Sequence, residues 1–425
     1  MTETAQQTPP IVARRTPQLI GTALGHALEW YDWGIYAIFV PFFAGQFFPG
    51  GSQLSAVLSS LAVFAVGFVA RPVGGFVFGW LADRIGRRTT MSATVATIAA
   101  ASFAIGISPT YATVGAWASL ILLLARVVQG LACGGELPSA QTYLSEIAPA
   151  GRRGRWSSLI YIASVFGNTV GVLLGLVLTL TLTTGEMRSF GWRIPFLLGG
   201  VLGLVAVYMR RKMAETETFT EATAEKVRLW PEIVRHRRQA AQVVGLSVGF
   251  TVVYYSWVIA APAYAIGSLH VSSSGALWAG VASSVLLMGV MPFWGGLSDR
   301  IGRKPVLLFS TLGSAAVLFP VQWFARDTAW HLFLGMALAA VFISAGVSIL
   351  PAVYAEMFPT RIRAIGLAVP YSIAVAAFGG TAPYLQTWIG AQFGRSAYTG
   401  YVVLLLIVSG LVIATLPETR AKELR

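Results

Sequence analysis

The stretch Gly79-Trp80-Leu81-Ala82-Asp83-Arg84-Ile85-Gly86-Arg87-Arg88 returns later in the chain as Gly295-Gly296-Leu297-Ser298-Asp299-Arg300-Ile301-Gly302-Arg303-Lys304. Each copy closes one long apolar run and precedes another. A single copy reads as a solvated turn between two membrane helices; two copies in corresponding places read as a duplication. A second pair agrees: Tyr143-Leu144-Ser145-Glu146-Ile147-Ala148-Pro149, followed by Arg152-Arg153-Gly154, is echoed by Tyr354-Ala355-Glu356-Met357-Phe358-Pro359, followed by Arg361-Ile362-Arg363. Glu146, Pro149 and Arg153 correspond to Glu356, Pro359 and Arg363 at one common offset. Internal duplication of a membrane bundle is a mark of secondary transporters.

The surrounding composition requires the membrane. The chain is 56% hydrophobic and 11% charged, with a mean hydropathy of +0.69, where a soluble domain carries about a quarter charged residues. Apolar runs of about 20 residues cross a hydrocarbon core of roughly 30 Å as helices, and helices satisfy their own backbone groups. The net charge of +13 is not a nucleic-acid footprint. Lys and Arg fall in alternate connections (Arg84, Arg87 and Arg88; Arg152, Arg153 and Arg155; Arg300, Arg303 and Lys304), while the intervening ones hold only Arg188, Arg193, Arg326 and Arg395. This positive-inside pattern puts both termini in the cytoplasm. One cysteine, Cys133, excludes an internal disulfide and a cysteine-based metal cluster.

The expected fold class is an all-α membrane protein of twelve transmembrane helices, near 18–40, 55–79, 91–109, 116–146, 157–183, 192–209, 241–266, 276–298, 306–325, 332–357, 366–389 and 398–416. They divide into an N-terminal six-helix half (1–209), a cytoplasmic linker (210–240) and a C-terminal six-helix half (241–425). Small-residue spacings such as Gly130/Gly134 and Gly167/Gly171/Gly175 let helix backbones approach closely.

Charges that ought not to lie in a membrane mark the candidate site. The first helix carries His26, Glu29, Asp32 and Tyr36 on one face, the second carries Arg71, and the fourth carries Arg126, Gln129, Cys133 and Glu136 in one stripe. At roughly 3 kcal/mol for each unpaired charge, the five ionised groups together would cost about as much as a fold is worth. They must face inward, pair, or lose charge by protonation. Position along the helices suggests two ion pairs, Asp32 with Arg126 and Glu136 with Arg71, which leaves Glu29 as a surplus carboxylate able to carry a proton, since desolvation disfavours its anion. Asp32 is the alternative carrier. The second half has no comparable charges; Tyr254, Tyr255, Trp257 and Tyr371 lie at midplane depth and suit the lining of a ligand cavity.

The residues of the repeated loop motif resemble the signature loops of the major facilitator superfamily. More narrowly, Gly25-His26-Ala27-Leu28-Glu29-Trp30-Tyr31-Asp32, Arg71-Pro72-Val73-Gly74-Gly75, Ala125-Arg126-Val127-Val128-Gln129-Gly130, Gly134-Gly135-Glu136 and Gly191-Trp192-Arg193-Ile194-Pro195-Phe196 resemble its metabolite:proton symporters, which include 2-oxoglutarate, citrate, shikimate and proline/betaine carriers. His26 stands where these carriers usually have Asn. The resemblance implies a symporter of the bacterial inner membrane that imports a small carboxylated solute with protons by alternating access. A di- or tricarboxylate is the leading expectation; proline, betaine or shikimate uptake and proton-driven efflux are the alternatives.

The expected proton-coupling residues are Glu29, Asp32, Arg126 and Glu136. Those expected to bind solute are His26, Tyr36, Arg71, Arg126, Gln129, Tyr254, Tyr255, Trp257 and Tyr371. By the same resemblance a cytoplasmic gate consists of Asp83, Arg84, Arg87, Arg88, Glu146 and Arg153 against Asp299, Arg300, Arg303, Lys304, Glu356, Arg361 and Arg363. No metal, no nucleic acid and no cofactor besides the proton are expected. The chain is expected to be a monomer in the bilayer and, lacking catalytic clusters and nucleotide-binding segments, not an enzyme.

Overall fold

The computed structural model describes residues 11–85, 87–134, 144, 148–149, 151–211, 235–324, 328–359 and 363–420. All the regular structure among them is helical. In chain order the long helices are α1 (Ile11–Phe47), α2 (Gln53–Ile85), α3 (Arg87–Ile107), α4 (Trp117–Cys133), α5 (Arg153–Thr181) and α6 (Arg193–Arg211), then α7 (Arg237–Tyr254), α8 (Ser273–Ile301), α9 (Arg303–Phe324), α10 (Ala329–Val347), α11 (Arg363–Ala374) and α12 (Arg395–Thr415). Among the described residues seven helical stretches are long and apolar enough to cross a membrane, and the bent pair Thr184–Gly191 and Arg193–Tyr208 forms an eighth. The expected span 116–146 is described as helix to Cys133; beyond it most residues lie outside the described set.

Packing follows the duplication. In the first set of helices α1 packs on α5, α2 on α4 and α3 on α6; in the second set α7 packs on α11, α8 on α10 and α9 on α12. The sets meet along α5 and α8, and again where α2 meets α11. Val69, Leu180, Leu204, Leu312, Trp323 and Leu411 are exposed on the outside of the bundle, an apolar surface that suits lipid and would aggregate in water.

The sequence reading missed three interruptions. π turns occupy Met187–Gly191, Tyr255–Ile259 after α7 and Val375–Gly379 after α11. Such turns insert a residue into the helical ladder and turn the side chains beyond them about the axis, by up to about 100° for one residue. The second of them holds Tyr255, so it decides which of its neighbours face the middle of the bundle.

Candidate functional site

Close backbone approach between α2 and α4 brings the arginines together. A Cβ on Gly67 would sit 3.1 Å from the Arg126 carbonyl, and Gly130 and Gly134 lie against the backbone of Gly67 and Arg71. Only glycine permits this spacing, and it sets Arg71 and Arg126 on one indole. Each guanidinium carbon is 4.1 Å from the Trp33 ring centroid. Arg71 also covers Phe68 at 4.3 Å, and Arg126 covers Tyr36 at 4.3 Å. Stacking of this kind is worth about 0.5–2 kcal/mol per contact when desolvated, and Trp33 is fixed in turn by donating from Nε1 to Cys133 Sγ at 3.1 Å.

The acids of α1 join this pair differently from the expectation. Arg126 and Asp32 make no direct ion pair. Arg126 Nη1 donates to Gln129 Oε1 (2.7 Å), Gln129 Nε2 to Ser102 Oγ (2.7 Å), and Ser102 Oγ to Asp32 Oδ1 (2.5 Å), so the charges communicate through a chain of neutral groups. The aromatic faces draw the guanidinium away, and Ser102 of α3 reaches the carboxylate first. Glu29 is not a surplus acid either: Oε1 lies 3.7 Å from Arg71 Nη2, and Oε2 lies 3.9 Å from His26 Nδ1. Depth counted along separate helices errs easily by one turn, about 5.4 Å, enough to exchange partners. Glu136, the other expected partner of Arg71, lies outside the described residues.

His26, Glu29, Asp32, Arg71, Arg126 and Gln129 are all buried, as are Tyr36, Tyr254, Tyr255 and Tyr371. Trp30 joins them to the second set, with ring centroids 5.7 Å from Tyr254 and 6.0 Å from Tyr255. The hydroxyls of Tyr254 and Tyr255, Arg71 Nε, and Arg126 Nε and Nη2 have no hydrogen-bond partner among the described residues. Buried donors of this kind seek an acceptor, and a guanidinium fork offers parallel N–H groups to a carboxylate. Tyr36 differs: its hydroxyl donates to Ser60 O at 3.0 Å, leaving its ring as a platform for Arg126. Tyr371 packs on Tyr354, with ring centroids 5.8 Å apart. Trp257, within the π turn, does not join Tyr254 and Tyr255 but lines a separate cavity of about 40 Å³ with Tyr264, Gln322, Gln386 and Arg395.

A second network closes the end of the bundle that carries the basic loops. Asp299, at the end of α8, accepts from the first N–H groups of α5, Gly154 (2.8 Å) and Arg155 (3.0 Å), where a helix start offers orphan donors and a positive dipole end. Arg303 Nη1 donates to Asp299 at 2.7 Å, while its Nη2 and Nε reach Glu356 at 3.1 and 3.3 Å. Arg153 Nη1 lies 4.0 Å from Glu356, and Arg363 donates to Ala355 O at 2.8 Å. Lys304 Nζ donates to Ala414 O at 2.7 Å, on the end of α12. Arg84 and Arg300 are exposed at this end. The structure describes the backbone but not the side chains of Asp83, Arg87 and Arg88, and Glu146 and Arg361 lie outside the described residues.

Sequence reasoning missed Ser102 and Ser164, which carry no charge to betray them. It also missed Glu418 and Thr419, whose signal was the short polar run after the last apolar span. Thr419 Oγ1 donates to Glu356 at 2.6 Å.

The family model described as Major Facilitator Superfamily matches residues 22–291 and 246–425. The chain belongs to the major facilitator superfamily. Alpha-ketoglutarate permease of Escherichia coli (strain K12) is 34% identical over 403 residues, 94% of this chain and 93% of that protein. A proline/betaine transporter of Salmonella typhimurium is 30% identical over 425 residues, 96% of this chain and 84% of that one. Among solved structures, the proton:xylose symporter XylE bound to 6-bromo-6-deoxy-D-glucose superposes with a TM-score of 0.77 at 18% identity, covering 97% of this chain and 98% of that one. At that identity the likeness speaks for the fold alone: this is the major facilitator architecture, with two ionic networks in its middle and at one end.

Proposed function

We propose that the chain is a proton-coupled importer of a small carboxylated metabolite, a di- or tricarboxylate such as 2-oxoglutarate, that works by alternating access in the bacterial inner membrane. The observation that carries this reading is the pair of buried guanidinium groups on Trp33, each with N–H groups that meet no acceptor among the described residues. An anionic solute would satisfy them, and the alpha-ketoglutarate permease relative supports a dicarboxylate. Glu29 and Asp32 are the acids that would exchange protons as Arg71 and Arg126 turn toward solute. The basic end is then the cytoplasmic one, and the Asp299–Arg303–Glu356 network is the gate that must part when that side opens. A proton is the only coupling ion the reading requires, and it requires no second subunit.

A second reading has its own support. Trp30, Tyr254, Tyr255 and Phe68 gather at ring distances of 5.3–6.0 Å, a surface suited to a quaternary ammonium, and several relatives are proline/betaine transporters. Counterflow in proteoliposomes with labelled 2-oxoglutarate, proline, betaine and shikimate separates the two. Exchange of 2-oxoglutarate, accumulated under an inward proton gradient, is the expected result. Exchange of betaine alone overturns the dicarboxylate reading, and expulsion of solute by the gradient overturns import.

A further inference from the structure

Among the described residues, His26 meets at Nε2 two groups of unequal adaptability. Trp30 Nε1 donates to its Nε2 at 3.1 Å, and Ser164 Oγ lies 2.7 Å from the same nitrogen. An indole N–H can only donate, so Nε2 carries the lone pair, and the proton of the neutral imidazole is on Nδ1, 3.9 Å from Glu29 Oε2. A second proton must then enter at Nε2. Ser164 can accommodate it, because a hydroxyl that donates to Ile160 O (3.0 Å) still has lone pairs to offer. Trp30 cannot, since two donors would face one another; its indole has to leave.

The Trp30 ring cannot leave without disturbing the contact between the two sets of helices, because it packs on Tyr254 and Tyr255. Among the described residues, the titratable groups nearest the site face elsewhere. Glu29, on the same helix, faces Nδ1 and is shared with Arg71 of α2. Tyr161 of α5 packs its ring against Tyr254. Asp32 is engaged by Ser102.

We propose that His26 is a proton-binding positioning residue. Protonation at Nε2 expels the Trp30 indole and loosens the aromatic contact with Tyr254 and Tyr255, which ties the charge state of the first helix to the fit between the two halves. The coupling is reciprocal: a solute that pushes Trp30 aside raises the proton affinity of His26 by the factor by which protonation favours the displaced indole. The proposal rests on the proton-coupled reading above, and it explains what an imidazole contributes at this position that a neutral amide could not.

The test begins with a readout that needs no solute. His26 is one of four histidines, so ¹⁵N-histidine NMR on His236→Gln, His270→Asn, His331→Gln protein in lipid nanodiscs isolates its ring; Asn is chosen at position 270 because the backbone there has φ 55, which Asn tolerates. At neutral pH the Nδ1–H tautomer is expected. Trp30→Phe keeps a ring but removes the donor, and should raise the proton affinity of His26 tenfold or more, whereas Ser164→Ala should lower it or leave it unchanged. An Nε2–H tautomer overturns the proposal, as do equal titrations in wild type and Trp30→Phe, or a rise of equal size in both variants, which would mean only that water has entered. In proteoliposomes the pH profile of 2-oxoglutarate uptake by Trp30→Phe should move upward by about one unit, the same tenfold factor, and an unmoved profile in an active protein counts against the proposal. If wild type transports no solute while the NMR result stands, the functional reading has failed and the His26–Trp30 linkage has not.

Discussion

The two networks of buried charge in this bundle are built to different tolerances. At the basic end Arg303 meets Asp299 at 2.7 Å and Glu356 at 3.1 Å, and Asp299 also accepts two backbone N–H groups. In the middle Glu29 stands 3.7 Å from Arg71 and 3.9 Å from His26, and Arg126 donates to the side-chain amide of Gln129. Short, fully shared ion pairs hold one arrangement; long ones leave N–H groups ready for another acceptor. The tight network therefore acts as a lock between the helix sets, and the loose one is suited to changing partners.

The largest effect expected is at the lock. Arg303→Ala strands Asp299 and Glu356 in buried surroundings, and breaking a buried pair from one side costs about 3–5 kcal/mol. Arg126→Met, which removes one charge-assisted hydrogen bond and its ring stacking, should cost about 2–3 kcal/mol. Thermal unfolding of the purified proteins, followed by tryptophan fluorescence, checks the order. Equal losses would erase the distinction between the networks.

A steric change sharpens the same point. A Cβ on Gly295 would sit 2.5 Å from the Gly154 carbonyl oxygen, so Gly295→Val penalises the closed basic end by about 1–3 kcal/mol while sparing the rest of each helix set. Cysteine labelling at Ser157→Cys in a Cys133→Ala background should accelerate at least tenfold in the valine variant. Unchanged labelling would mean that this seam is not where the end opens. In the middle, Arg71→Lys keeps the charge but loses the planar fork; about 1 kcal/mol of stability should be lost, with at least a tenfold fall in 2-oxoglutarate uptake. Full uptake by Arg71→Lys would remove the case for guanidinium recognition.

The fold was legible because membrane burial leaves the chain few choices: apolar length gives the helices, and the repeated Asp299–Arg303 and Asp83–Arg87 spacing gives the duplication. The members of the central site were legible too, since an ionised group in an apolar helix has nowhere else to face. Their partners were not. Whether Asp32 meets Arg126 directly or through Ser102 and Gln129 depends on rotamers and on a few ångströms of helix stagger, and neither has a sequence period. Which cavity Trp257 lines was not legible for a related reason, because nothing in Tyr255-Ser256-Trp257-Val258-Ile259 announces a π turn. Glu418 was overlooked because its three donors are backbone N–H groups, which any sequence possesses.

Glu418 gives the smallest expected effect and extends the lock to the end of the chain. Gly302 has φ 108, and a Cβ there would sit 2.6 Å from Glu418 Oε2, so glycine is needed both for the turn and for the approach of the carboxylate. Glu418 accepts from the N–H groups of Arg303 (2.9 Å), Lys304 (3.1 Å) and Arg420 (2.9 Å). Partial burial pushes its carboxyl upward, but these N–H groups outweigh it and hold the group below the usual glutamate range. A carboxyl lowered by folding stabilises the folded state above its unfolded value, near pH 4.5, and that contribution is lost as pH falls through the folded value. Solvent screening at this exposed position holds it to about 1 kcal/mol or less. Glu418→Gln should therefore melt below wild type at pH 7, and the gap should close on acidification below pH 4. A gap that widened in acid would show that the carboxylate is strained in its turn, and that the last helix merely rests on the lock without tightening it.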